Sequence, residues 1–209
     1  MAESDGLLNR CRDKIPTPGS NPGLSARLLI VKSSRFKIKL LTRVSMKIGI
    51  IADTHDNIHA IKKAVNFFNT LDLKYVIHAG DYVAPFSLKE LMKLKARFLG
   101  IFGNNDGERK GLLGVCKNIH EPPYDIILNG KHIIVTHMIE GLSKRSKMNT
   151  DIIVSAHTHV PEIKHGSPMY VNPGECCGWL NEKSTVMVME IDTLKVDIID
   201  LSEISLGDS

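Results

Sequence analysis

Five apolar runs in this chain stop abruptly at an aspartate, asparagine or histidine, and this recurrence constrains the fold more than any other feature. Ile48, Ile50 and Ile51, with Gly49 and Ala52, precede Asp53-Thr54-His55. Lys74–Ala79 precedes Gly80-Asp81, and Arg97–Phe102 precedes Gly103-Asn104-Asn105-Asp106. Lys131–Val135 precedes Thr136-His137, and Thr150–Ala156 precedes His157-Thr158-His159. Short runs that are apolar at nearly every position read as strands covered on both faces. Side chains at the ends of such strands gather on one edge of a sheet, where open α/β folds form their sites. In extended backbone, residues i and i+2 point the same way, so Asp53 and His55 are expected to reach one point from an extended strand end.

The segments between these runs set the architecture. After the first strand, Asn57 can cap a helix, and Ile58, Ile61, Ala64, Val65 and Phe68 follow at the spacing of one buried helical face. A short amphipathic helix is expected over Ser87–Lys95, with Leu88 and Leu91 on its buried side. This first half alternates β and α as a parallel, helix-covered sheet does. The second half differs. Asp125–Leu128 and Lys131–Val135 flank Asn129-Gly130, the signature of a type I′ hairpin turn. Met169-Tyr170-Val171 leads into an Asn172-Pro173-Gly174 turn, and Thr185–Ile191 pairs with Lys195–Leu201. Parallel strands followed by hairpins predict an α/β fold of two packed sheets with helices outside.

The 209 residues suit one substantial domain. The net charge of +4 becomes informative once it is located along the chain. Residues 1–45 carry nine Lys/Arg against three Asp/Glu, leaving eighteen against twenty for residues 46–209. The first 45 residues, broken by Pro16, Pro18, Gly19, Pro22 and Gly23, read as a poorly ordered basic extension. A self-sufficient domain then begins at Met46 and runs to residue 209. Its mild acidity argues against a nucleic-acid face built from bulk charge. No apolar run approaches the ~20 residues that span a bilayer. Cys11, Cys116, Cys176 and Cys177 have the spacing of neither a disulfide framework nor a metal knuckle, which points to a reducing, cytoplasmic location.

The strand-end residues Asp53, His55, Asp81, Asn104, His137, His157 and His159 comprise four imidazoles, two carboxylates and an amide oxygen. That mixture suits Mn, Fe, Zn, Ni or Co better than Mg or Ca. Seven ligands are too many for one such ion and suit two. Other histidines lack this context: His78 and His132 read as satisfied core residues, and His59, His120 and His165 as surface ones. Cys176 and Cys177 are expected to pack as small apolar groups. Lys144-Arg145-Ser146-Lys147 reads as a solvated basic face, with a contact to an anionic substrate as the alternative.

Asp-x-His, Gly-Asp, Gly-Asn-x-Asp, Thr-His and His-Thr-His, in this order, resemble the five motifs of the calcineurin-like metallophosphoesterases. The resemblance spans residues 46–201. The short length and the stretch Asn172-Pro173-Gly174-Glu175-Cys176-Cys177-Gly178 are most similar to the small prokaryotic phosphodiesterase branch. It implies a four-layer αββα fold, with a two-sheet sandwich flanked by helices. It also implies two divalent transition metals, Mn or Ni first and Fe, Zn or Co as alternatives. Asp53, His55 and His159 would hold one ion, Asn104, His137 and His157 the other, with Asp81 bridging. Such a pair activates a water or hydroxide for in-line attack on phosphorus.

The implied activity is hydrolysis of a small phosphodiester. Phosphomonoester hydrolysis on the same site is the alternative, and a non-catalytic scaffold or a nuclease lies further off. A homo-oligomer is compatible with the sequence but not required by it. Three positions depart from the family pattern. Asn105 stands where many members carry a histidine, oriented by the following acid (here Asp106), that serves the leaving oxygen. An amide can donate a hydrogen bond but cannot act as a general acid. Ala156 replaces a glycine, and Met138-Ile139 replaces Gly-His beside the metal-binding histidine.

Overall fold

The computed structural model describes residues 45–204; the basic extension expected over residues 1–45 lies outside them but for Ser45. Strand β1 (Lys47–Ile51) is buried at every position after its first, and β2 (Tyr75–His78) at every position. β3 (Arg97–Ile101) repeats the β1 pattern, and β4 (Ile119–His120) is a two-residue addition beside it. These four run parallel. The connections are helices α1 (Ile58–Asn69), α2 (Pro85–Leu91) and α3 (Arg109–Val115).

The second half begins with β5 (Tyr124–Leu128) and β6 (Lys131–Val135), an antiparallel hairpin. Asn129 and Gly130 have φ of +48° and +83°, the two positive angles that a type I′ turn demands. Helix α4 (Lys144–Met148), β7 (Ile152–Val154), β8 (Pro161–Lys164) and β9 (Met169–Pro173) follow. β10 (Thr185–Glu190) and β11 (Lys195–Asp200) close the chain as an antiparallel pair.

Two mixed sheets result: β11-β10-β1-β2-β3-β4 and β5-β6-β7-β9-β8. The last hairpin rejoins the first sheet, β10 lying antiparallel to β1 with Ile50 opposite Met187. Period-two alternation divides the strand side chains between two cores. Ile48, Ile50, Ile77, Leu99 and Ile101 meet Ile133, Val135, Ile152, Val154 and Val171 between the sheets. Ile51, Val76 and Phe98 turn outward against Ile61, Val65, Phe68, Leu88 and Leu91 of α1 and α2. The amide oxygen of Asn57 accepts from the Ala60 backbone N–H (3.1 Å) and caps α1 as its sequence predicts.

The two outer layers are unequal. Among the described residues, only Ile134, Leu142 and Ile153, with the half-buried Ile139 and Tyr170, form a cluster on the far side of the second sheet. Helix α4 buries none of its residues, so the fourth layer is thin. Two elements differ in extent from the sequence reading. α2 spans Pro85–Leu91 rather than Ser87–Lys95. Asn172 and Pro173 complete β9 instead of beginning a turn. Cys116 is buried, and Cys176 and Cys177 are buried free thiols. Among the described residues no helix is long and apolar enough to cross a membrane.

Candidate metal site

Five loops converge at the C-terminal ends of parallel strands β1, β2, β3, β6 and β7. The segment after β1 is not extended: Asp53 and His55 have φ of +49° and +37°, because β1 has already ended at Ile51. Their alignment therefore comes from a left-handed turn and not from strand periodicity. That turn is fastened to the loop after β2 by backbone bonds, Asp53 N–H to the Gly80 carbonyl (3.1 Å) and Thr54 N–H to the Asp81 carbonyl (3.0 Å). Asp81, His157 and His159 also have positive φ, at +63°, +72° and +63°. Asp, Asn and His tolerate this region better than other side chains, yet such conformations persist only where the surroundings over-determine them, and they cluster at functional sites.

Much of that determination comes from Asp106. Its Oδ2 accepts from the Asp81 and Gly103 N–H groups (2.9 and 2.7 Å), and its Oδ1 accepts from those of Tyr82 and Val83 (2.7 and 2.9 Å). It is buried. Both oxygens are thus committed to the backbone that carries Asp81. Gly103 allows this approach, since a Cβ there would collide with Asp81 Oδ1. Asn105 acts on the same carboxylate: its backbone N–H donates to Asp81 Oδ1 (2.8 Å) and its side-chain amide to Oδ2 (2.7 Å). Asn105, exposed on its outer side, therefore holds the aspartate.

Around Asp81 the imidazoles gather. His55 Nε2 and His137 Nε2 lie 3.5 and 3.4 Å from Asp81 Oδ2. The same two nitrogens and His159 Nε2 stand 3.9, 4.0 and 3.9 Å from Asp53 Oδ1. Asp53 Oδ1, His55 Nε2 and His137 Nε2 are buried and lack a hydrogen-bond partner. Buried polar atoms are almost always paired, and an unpaired one costs ~1–3 kcal/mol. Three such atoms facing one another are what a cation in their midst would satisfy. Asp53, His55 and His159 offer ligand atoms within 4.8 Å of one another, as do Asp53, Asp81 and His137.

The electrostatics agree. Burial raises the Asp53 carboxyl to about 6, against the opposing pull of His137 and His159. Burial also disfavours ionised Asp81, but the adjacent His137 ring and the two hydrogen bonds from Asn105 outweigh it and lower its pKa.

Two of the histidines have their tautomers set. His137 Nδ1 lies 2.8 Å from the Ala79 carbonyl, which fixes the proton there and turns the Nε2 lone pair inward. His159 Nδ1 lies 2.9 Å from Glu175 Oε2, with the same effect. Glu175 is fully buried. It also accepts from the backbone N–H groups of Leu180 and Asn181 and from the Cys177 thiol. Sequence reasoning passed over it; the one signal was an acid set between Gly174 and two cysteines in a chain segment otherwise poor in charge.

The remaining expected ligands are less enclosed. His157 is exposed and its ring stands edge-on to His137 at 5.3 Å, while its backbone N–H donates to Asp53 Oδ2 (3.2 Å). Asn104 is exposed beside His137 on a 250 Å³ cavity that Arg109 and Met138 also line. A 360 Å³ cavity that His157 also lines includes Ile139, Glu140, Lys147 and Lys164. His78 is a satisfied core histidine: Nδ1 accepts from Gly80 N–H (3.2 Å), Nε2 meets Thr54 Oγ1 (3.1 Å), and burial lowers its pKa. His132 is satisfied too, but near the surface, between Asp125 Oδ1 and the Asn149 carbonyl. His59 and His165 are exposed.

The chain belongs to the calcineurin-like phosphoesterase superfamily, whose domain model matches residues 46–194. It is 33% identical over 157 residues to phosphodiesterase MJ0936 of Methanocaldococcus jannaschii, covering 70% of this chain and 94% of that protein. It is 31% identical over 157 residues to a probable metallophosphoesterase of Methanothermobacter thermautotrophicus, covering 73% and 90%. Among solved structures, one described as a novel archaeal phosphodiesterase superposes with a TM-score of 0.67 at 30% identity, covering 74% of this chain and 99% of that one.

Proposed function

We propose that this protein is a metal-dependent phosphodiesterase of small substrates that works with two divalent transition ions, Mn or Ni in the first place. The observation that carries the reading is the set of buried, unpartnered atoms Asp53 Oδ1, His55 Nε2 and His137 Nε2 facing Asp81. Asp53, His55 and His159 would hold one ion, and Asn104, His137 and His157 the other, with Asp81 shared. Bound there, such ions supply Lewis-acid stabilisation of the phosphoryl oxygens and lower the pKa of the attacking water.

The chain's own residues do the positioning. Asp106 fixes the Asp81 loop, Asn105 fixes the Asp81 carboxylate, and Glu175 fixes the His159 ring. None of these supplies a proton to a leaving oxygen. A general acid is typically worth ~10²–10⁴ in rate, so esters with good leaving groups are expected to react best. The relatives named as phosphodiesterases support the diester reading.

The test is metal-reconstituted protein assayed on a chromogenic diester with an activated leaving group and on the matching monoester. Hydrolysis that favours the diester and vanishes with a chelator is expected, with about two ions per chain by elemental analysis. Metal-loaded protein that cleaves no diester would overturn the reading. Failure to take up metal after growth in excess manganese would favour a scaffold.

A further inference from the structure

The chain contains one tryptophan, Trp179, and its position is unusual. Its side chain is 61% exposed, although large aromatic rings are more often buried on average. Its ring centre lies 6.1 Å from that of His55, with the planes tilted by 30°. His55 in turn stacks on His159 at 5.3 Å. Three rings thus lead from the Asp53 cluster outward to solvent, and Trp179 is the last of them. Leu180, which follows Trp179, and Val160, which follows His159, are likewise exposed, at 71% and 53%.

The segment bearing Trp179 is fixed by the site itself. Glu175 Oε1 accepts from the backbone N–H groups of Leu180 and Asn181. The Asn181 amide donates to the His159 carbonyl (2.9 Å), and the Cys177 carbonyl accepts from Asn57 Nδ2 (2.8 Å). Cys177 N–H donates to the Asp53 carbonyl (3.1 Å). An aromatic ring on so constrained a backbone loses little entropy when a second ring covers it. A macromolecule laid over Trp179 would also cover His55, whose Nε2 is among the unpartnered atoms of the site. A small planar group attached to the reacting phosphate can cover the tryptophan without that obstruction.

We propose that Trp179 is a stacking platform for the aromatic group of the substrate, and that the substrate class is a nucleoside phosphoester whose base lies on the outer face of this ring. The assignment rests on the phosphodiesterase reading, because it places the phosphate at the Asp53–Asp81 cluster. Base–aromatic stacking is sequence-tolerant, since every base has a π-face, so the platform selects for a base without selecting among bases.

Because Trp179 is the sole tryptophan, its fluorescence reports contact directly. Metal-loaded protein titrated with adenosine monophosphate is expected to show saturable quenching, and ribose 5-phosphate little. As competitors of chromogenic diester hydrolysis, adenosine monophosphate should bind at least tenfold more tightly than ribose 5-phosphate. W179A should bring that ratio close to one, and W179F should retain most of it. Equal binding of the two in wild type overturns the proposal, as does a preference that survives in W179A. A concentration-dependent dimer that W179A converts to monomer would assign the rim to a second copy and also overturn it. Should the metal-loaded protein hydrolyse no diester, the phosphodiesterase reading fails, whereas the quenching titration still decides on the platform.

Discussion

The two halves of the candidate site are built differently. The half around Asp53, His55 and His159 is braced from outside: Glu175 holds His159, the two imidazoles stack at 5.3 Å, and the segment after β9 closes over them. In the half around Asn104, His137 and His157, only His137 is buried and fixed by a hydrogen bond to the Ala79 carbonyl. Asn104 and His157 stand at the rims of two cavities. On the proposed reading, the braced half would present ligands already in place, and the cavities beside the open half would admit a substrate. The division follows from the fold. The β9–β10 connection is tied to the braced half through Glu175 and Cys177, whereas the cavity that His157 lines is also lined by Ile139 and Tyr170, which pack on the far side of the second sheet.

The largest effect is expected where the halves meet. Asp81→Asn weakens the carboxylate that we propose both ions share, and should reduce diester hydrolysis by more than the ~10–100-fold typical of losing an outer partner of a metal ligand. Metal content should fall with it; full occupancy and activity in that variant would mean the halves do not share Asp81.

Glu175→Ala tests the bracing alone. A loss of ~10–100-fold in metal affinity is expected, read by chelator competition, with Glu175→Gln less severe because an acceptor for His159 Nδ1–H remains. Equal affinity in all three proteins would show that the bracing does not matter.

Asn105→His acts on the open side. It removes the amide that holds Asp81 Oδ2 and offers a titratable donor in its place. The ratio of monoester to diester activity should rise severalfold, within the ~10²–10⁴ that general acid catalysis can provide. An unchanged ratio would remove position 105 from leaving-group chemistry.

The smallest effect lies away from both halves, at His132. Burial favours its neutral ring, but hydrogen bonds to the Asn149 carbonyl and to Asp125 outweigh it and raise the pKa above 6.5. A raised folded-state pKa contributes stability that is complete below the unfolded value and lost as pH rises through the folded one. Asp125→Asn should therefore lower the melting temperature more at pH 5.5 than well above the ordinary histidine range of ~6.5. A difference independent of pH would contradict the assignment.

Much of this molecule was legible in sequence because its elements are local. The covered strands β1, β2 and β3 followed from unbroken apolar runs, the β5–β6 turn from Asn129-Gly130, and the cap of α1 from Asn57. Elements with weak periodicity escaped: two-residue β4, β8 with alternating half-exposed positions, and the short helices α3 and α4. Asp53, His55, Asp81, His137 and His159 could be nominated because each ends or follows an apolar run, and the fold brings them within 3.4–4.0 Å contacts of one another.

What the sequence by itself determined is therefore most of the inventory: the covered strands and the hairpins, and which polar residues sit at the strand ends. The tertiary structure alone decided how those residues are held. Spacing suggested that Asp53 and His55 align by strand alternation, whereas a left-handed turn, bonded to the loop after β2, does it. Spacing also gave no means of seeing that Asp106 supports four backbone groups, that Asn105 grips Asp81, or that Glu175 orients His159. These pairings join residues up to 25 positions apart through loops. Local propensity is set by neighbours in the chain, but the partners of a buried polar group are set by which loops pack together, and that is settled only when both sheets close on their shared core.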